Sequence, residues 1–292
     1  MKVYFLFLLL ALTGLAPAQV KVASLHPLMG DLARQVGGQR VSVVDIGKPG
    51  FDVHSFSPTP QDLKAMAGCQ VVFASGKGLE TYLDSLRDSL PIPILEVGKG
   101  IPSRSISGGE ALYVCCPQHS HGTVDPHWWH DVGNMERAAK VLEKELSRLD
   151  PEGKDYYKTR SQDLRKRYQQ LERWVKAQIA SLPREQRKLV TAHAAFGYFC
   201  KAYKMKPVFV LGLSGDHEVS AQVLAEEVTK LSKEKVRAVF PEKKSNPKVL
   251  TQIAKQAGAR IGNSLVADGG AANYEEMMRA NVTSIVRGLG QP

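Results

Sequence analysis

The sequence predicts an α/β protein of two lobes, each a mostly parallel sheet with flanking helices, joined by one long backbone helix. Three observations carry this expectation. Short apolar stretches alternate with amphipathic ones, the pattern of repeated βα units. That alternation stops near residue 150 and resumes after Pro183. Between the two blocks, apolar residues recur at helical spacing over about 30 residues, one face of a single helix.

The elements follow in order. "VKVAS" reads as a strand and "HPLMGDLARQVGG" as a helix that stops at glycine. "RVSVVDIG" is the next strand. "TPQDLKAMAGC" is a short helix opened by Thr59 and Pro60, with Asp62 in its first turn, where an acid favours the helix dipole. "QVVFASG", "LETYLDSLRDSL" and "IPILEVG" continue as strand, helix and strand. "ISGGEALYVCCPQHSHGTV" has no clear period and reads as a loop. "VGNMERAAKVLEKELSRLD" resumes as a helix.

The linking helix comes next. Tyr157, Leu164, Tyr168, Leu171, Val175, Ile179 and Leu182 fall three or four residues apart, with one seven-residue step. A helix of about 30 residues runs about 45 Å, longer than one small lobe needs. Beyond Pro183, "KLVTA", "PVFVLGL", "VRAVF" and "ARIGNSLVA" read as strands. "HAAFGYFCKAYK", "SAQVLAEEVTKLSKE", "NPKVLTQIAKQAG" and "NYEEMMRANVTSIVRGL" read as helices. The expected organisation is a leader over 1–18, a first lobe over 19–150, the linking helix over 151–182 and a second lobe over 183–292.

The leader is read from its own pattern. Lys2 precedes an apolar run from Val3 to Leu12, and "APA" ends the segment. That is a secretory signal peptide, cut after Ala18, and it predicts export to a periplasm. No cysteine stands near the cut, so no lipid anchor is expected. The formal charge is +10; removing the leader's one lysine leaves 38 basic and 29 acidic residues, or +9. The basic residues are mixed with acids along charged faces, and with export this excludes nucleic acid as a partner. Cys69, Cys115, Cys116 and Cys200 do not form paired C-x-x-C knuckles. One or two disulfides would suit an oxidising compartment, with a pairing that sequence does not give.

The chemistry gathers at histidines. His54 follows "VSVVDIGKPGFDV", His193 follows "KLVTA", Asp268 follows "ARIGNSLVA" and His127 follows the irregular loop. The carboxyl rim of strands is where open α/β sheets bind ligands. Two of these residues belong to each lobe, so a cleft between lobes would gather all four. Three imidazoles and a carboxylate form a zinc-type donor set. Glu242, in "VFPEKKSNPKVL", rivals Asp268 for the carboxylate. In "DPHWWHD", His130 lies one helical step past His127, as a spare ligand or a supporting residue at a helix start. Asp125 or Asp131 could orient an imidazole through its other ring nitrogen. His119 and His121, in "CCPQHSHG", sit in a loop that either samples metal or is merely solvated. His26 and His217 read as loop or helix-start residues.

Two functions fit these residues. A binding protein would fill all four positions around a captured metal ion and leave no room for reactive water. An exported zinc hydrolase would use three histidines and a bound water, with Glu242 or Asp268 as base. The sequence holds no H-E-x-x-H or other hydrolase signature, which favours a non-enzyme.

Four segments resemble a known family. "DVHSFSPTPQDLKAM", "DPHWWHDVGNM", "TAHAAFGYFCKAY" and "LVADGGAANYEEMMRANVTSIVRGL" are similar, in order, to motifs of the metal-specific solute-binding proteins of ABC importers, the zinc and manganese class. The resemblance runs from about residue 20 to the end. It implies two α/β lobes on one long helix, and the ligands His54, His127, His193 and Asp268. Members that favour manganese usually carry glutamate at the third position. Histidine at 193 therefore implies Zn2+ rather than Mn2+. The chain departs from the family at Val53, where proline is usual, and at the glycine pair after Asp268. The implied partner is an ABC permease in the inner membrane, served by a monomer.

Overall fold

The computed structural model describes residues 19–51, 53–106, 124–210, 221–243, 247–268 and 273–290. The leader, the segment carrying Cys115, Cys116, His119 and His121, and His217 lie outside the described residues.

The first lobe is a four-stranded parallel sheet in the order β2-β1-β3-β4. Its strands are β1 (Val20–Ser24), β2 (Val41–Asp45), β3 (Val71–Ala74) and β4 (Ile94–Glu96). Val22 pairs with Val43 on one side and Val71 on the other. Helices α1 (Pro27–Gly37), α2 (Pro60–Met66) and α3 (Leu83–Ser89) are the crossovers. The expected start of α2 is realised as a reciprocal cap. Thr59 Oγ1 accepts from the Asp62 N–H, and Asp62 Oδ2 accepts from the Thr59 N–H.

Helix α4 (Val132–Leu149) leads into the long helix α5 (Lys154–Ala180), 27 residues and about 40 Å. All seven residues of its expected stripe are buried, Leu182 just beyond its end included. Ser161, also fully buried, fills the seven-residue step between Tyr157 and Leu164. A small residue there lets α5 lie close to its neighbours. The helix packs on α1 and α4 of the first lobe and on α6 and α9 of the second.

The second lobe carries β5 (Lys188–Thr191), β6 (Lys206–Phe209), β7 (Ala238–Val239) and β8 (Arg260–Ile261). The pairs β5–β6 and β7–β8 are parallel, and a parallel bridge from Thr191 to Phe240 joins them. Helices α6 (Gly197–Tyr203), α7 (Ala221–Lys233), α8 (Lys248–Gln256) and α9 (Tyr274–Gly290) complete it. "ARIGNSLVA" is a strand only over Arg260–Ile261, with one further bridge at Leu265. Gly262 still bonds to the ladder, its N–H donating to the Val239 carbonyl at 2.8 Å, and an added Cβ there would stand 2.4 Å from the Phe240 ring.

The main core is continuous across both lobes. Val22 and Phe73 of the first sheet, the α5 stripe, and Phe196, Phe240 and Tyr274 of the second lobe share one cluster of buried apolar side chains. Smaller clusters back each sheet on its outer side. Cys69 sits in the first lobe's outer cluster and Cys200 in the main core. No described helix is long and apolar enough to cross a membrane.

Candidate metal centre

Four segments converge on one point. His54 lies in the turn after β2, and His193 just past β5. His127 precedes a single 3-10 turn, Trp128–His130, ahead of α4. Asp268 follows the Leu265 bridge. One donor atom from each lies within 4.8 Å of all the others. The Nε2 atoms of His54 and His127 are 3.4 Å apart, and each stands 3.4 Å from Asp268 Oδ1. His193 Nε2 is 3.8 Å from Asp268 Oδ2.

The imidazoles are held from behind. His127 Nδ1 is 2.9 Å from Asp125 Oδ1, and the other Asp125 oxygen accepts from the Arg104 guanidinium at 2.9 Å. Asp125 is fully buried, so this pairing with arginine offsets its desolvation. His193 Nδ1 contacts Glu242 Oε2, and the His193 backbone N–H donates to Glu242 Oε1 at 3.2 Å. Carboxylates on Nδ1 place the proton there and turn the Nε2 lone pair inward. Glu242, the sequence's rival for the fourth donor, thus stands behind His193 rather than beside Asp268. Asp131 caps α4 by accepting from the Gly133 N–H at 2.8 Å, and among the described residues no imidazole is bonded to it.

The surroundings set the charge states. Burial pushes the His54 imidazole below its ordinary range. Burial also opposes a proton on His127, but Asp125 and Asp268 outweigh it and raise that group to about 9. For His193 burial is likewise outweighed, chiefly by Glu242, and the net direction is upward. Burial alone would raise the Asp268 carboxyl, but His54, His127 and His193 together hold it well below the usual carboxylate range. The carboxylate is therefore ionised and faces three imidazoles that compete for its charge.

The neighbours are buried. Trp128 and Trp129 are fully buried and donate to the carbonyls of Ser75 and Ala267, at 3.2 and 3.1 Å. His130 is buried too, with Nε2 2.7 Å from the Ala267 oxygen, and burial holds its pKa down to about 3. It is not among the four clustered donors. His26 caps α1, its Nδ1 accepting from the Leu28 N–H at 3.2 Å. Sequence reasoning missed Arg104, which reaches Asp125 from 21 residues away and leaves no local pattern. Glu242, which the sequence offered as a donor or as a residue supporting one, lies beside His193 because the bridge between the segments after β5 and β7 makes the two neighbours.

Comparison with known proteins agrees with this architecture. The family model for the periplasmic component A of zinc-uptake complexes matches residues 22–288. A manganese-binding lipoprotein, MntA of Halalkalibacterium halodurans, is 28% identical over 279 residues, 93% of this chain and 89% of that protein. The iron-binding protein YfeA of Yersinia pestis is 25% identical over 277 residues, 93% of this chain and 86% of that one. The periplasmic zinc binding protein TroA from Treponema pallidum superposes with a TM-score of 0.80 at 24% identity, covering 93% of this chain and 99% of that one. Family and fold are those of solute-binding proteins rather than enzymes, and the hydrolase reading finds no support. With the family match running almost end to end, the chain belongs to the zinc-uptake component A family, the metal-binding solute-binding proteins of ABC importers.

Proposed function

We propose that the chain captures zinc through Nε2 of His54, His127 and His193 and a carboxylate oxygen of Asp268, and delivers it to its membrane permease. The observation that carries this is the spacing of the donors. Ligands about 2.0–2.1 Å from a tetrahedral zinc ion stand about 3.3–3.4 Å apart. Three of the donor separations are 3.4 Å. Three imidazoles also favour zinc over manganese, which prefers more oxygen donors and binds nitrogen sites more weakly. Relatives named for manganese and iron make the ion the sharp question. In this reading the protein works as an exported monomer in the periplasm.

The test is calorimetric titration of the metal-stripped protein with zinc and, separately, manganese, with His54→Ala and Asp268→Ala alongside. One zinc site, tighter than the manganese site and crippled in both variants, is the expected result. Tighter manganese binding would overturn the choice of ion. Full zinc affinity in both variants would overturn the donor set.

A further inference from the structure

His130 touches the candidate centre without aiming a donor atom into it. Its Nε2 is 2.7 Å from the Ala267 carbonyl oxygen, so that nitrogen carries the proton and donates. Trp129 Nε1–H donates to the same oxygen at 3.1 Å, and a carbonyl oxygen has lone pairs for both. Ala267 is the residue before Asp268. The far end of the same stretch is also fastened, because the Tyr274 hydroxyl donates to the Trp129 carbonyl at 2.8 Å. The turn that begins at His127 thus grips the Asp268 segment on both sides.

Packing alone does not call for histidine here. The ring lies 4.3 Å from that of Phe196 in a fully buried site where leucine would serve. An imidazole brings a desolvation cost that a leucine avoids. His130 Nδ1 has no hydrogen-bond partner among the described residues, which adds to that cost. What distinguishes histidine from an apolar residue at this position is its bond to Ala267.

We propose that His130 is a positioning residue for metal capture: with Trp129 it holds the Ala267 carbonyl and so sets the Asp268 carboxylate against His54 and His127. The inference rests on the four-donor reading above. Its consequence is that His127 and Asp268, contributed by different lobes, act as one pre-set unit before the ion arrives, which lowers the ordering cost of binding.

The experiment measures zinc affinity of the metal-stripped protein, by competition with a chelating dye, in His130→Leu, His130→Gln, Asp268→Ala and the His130→Leu/Asp268→Ala double variant. His54→Ala serves as control, and each metal-free protein is also melted. His130→Leu is expected to weaken zinc by about 10–100-fold, the usual effect of losing an outer hydrogen bond at a metal site. His130→Gln, which keeps a donor at the same reach, is expected to recover most of that loss. In the Asp268→Ala background the leucine should cost nothing further. If the leucine variant does not fold, His130→Met takes its place.

Affinity within twofold of wild type in His130→Leu overturns the proposal, and so does an equal loss with and without Asp268, the mark of a merely structural role. Unchanged affinity in His54→Ala would overturn the four-donor reading itself, and this inference with it. A crippled His54→Ala beside a silent His130→Leu overturns the positioning role alone.

Discussion

The Asp31 carboxylate, on α1 of the first lobe, accepts a hydrogen bond at 3.0 Å from the backbone N–H of Tyr274, the first residue of α9. The residue just before α9, Asn273, caps it in the usual way by accepting from the Glu276 N–H at 3.0 Å. Asp31 adds a second acceptor, from 243 positions away and from the other lobe. Arg167 of α5 strengthens the same seam, bonding Glu275 at 3.0 Å and Gln35 at 2.7 Å. Asp31→Ala should lower unfolding free energy by about 1–2 kcal/mol, since it strips a buried N–H of its acceptor. Burial raises the Asp31 carboxyl above its ordinary range, against the Tyr274 N–H, Gln35 and Arg34, which favour the charged form. Asp31→Asn, which keeps an acceptor oxygen, should stay within about 0.5 kcal/mol of wild type. Urea unfolding of the metal-free protein checks both, and equal losses would show that the charge matters.

Glu242→Gln tests the support behind His193. The amide keeps the size of the side chain but loses the charge that fixes the imidazole proton on Nδ1. Zinc affinity should fall by about 10–100-fold. Direct titration checks this, and a loss as large as that of His193→Ala would instead make Glu242 a ligand in its own right.

Metal capture should release protons. His127 is raised to about 9 in the metal-free protein, above its ordinary 6.5. Below about pH 9 its Nε2 is therefore largely protonated, and the ion must displace that proton. Affinity should rise with pH through neutrality, by about tenfold per unit while one proton is exchanged. At lower pH the fall should steepen as His193, also raised above its ordinary value, takes up a proton in its turn. Calorimetry at pH 7.5 in two buffers of different ionisation enthalpy should report at least about one proton released per ion. A pH-independent affinity between 7 and 9 would contradict the charge state assigned to His127.

Gly197→Ala should damage the centre from a distance. A Cβ there would stand 2.3 Å from the Arg104 guanidinium and 2.7 Å from Asp125 Oδ2. The arginine can swing aside, but the buried Asp125 cannot yield without shifting its hold on His127 Nδ1. The expected stability loss is about 1–3 kcal/mol, as for other overpacked buried sites. Weaker zinc binding should accompany it. Denaturation and titration of the one variant measure both, and unchanged zinc affinity would uncouple Asp125 from His127.

The lobes and the linking helix were legible because their signal is periodic. Each apolar position of α5 named from spacing is buried, and the single gap is closed by Ser161, whose small size has no periodic signature. The short β8 was not legible, since the apolar pattern of "ARIGNSLVA" runs on while its pairing beyond Ile261 narrows to a single bridge at Leu265. The donor residues stood out through their place after strands. Which carboxylate faces the cluster and which backs a histidine depends on how two parallel strands bring His193 and Glu242 side by side. The role of His130 was hidden for a simpler reason: its partner is a backbone carbonyl 137 residues away, and any residue supplies one.

The four clustered donors come from separate segments, 73, 66 and 75 residues apart along the chain. Neither lobe carries more than two of the four, and an unfolded chain offers only isolated imidazoles. Cargo therefore certifies completeness. On the four-donor reading, only a chain whose two sheets and connecting helix have all assembled should load, and one stalled between His54 and Asp268 should travel empty. Loading in turn protects its carrier: with free ion at 100 times the dissociation constant, the folded state gains about 2.7 kcal/mol over the unfolded one. A loaded carrier should outlast an empty one wherever proteases patrol.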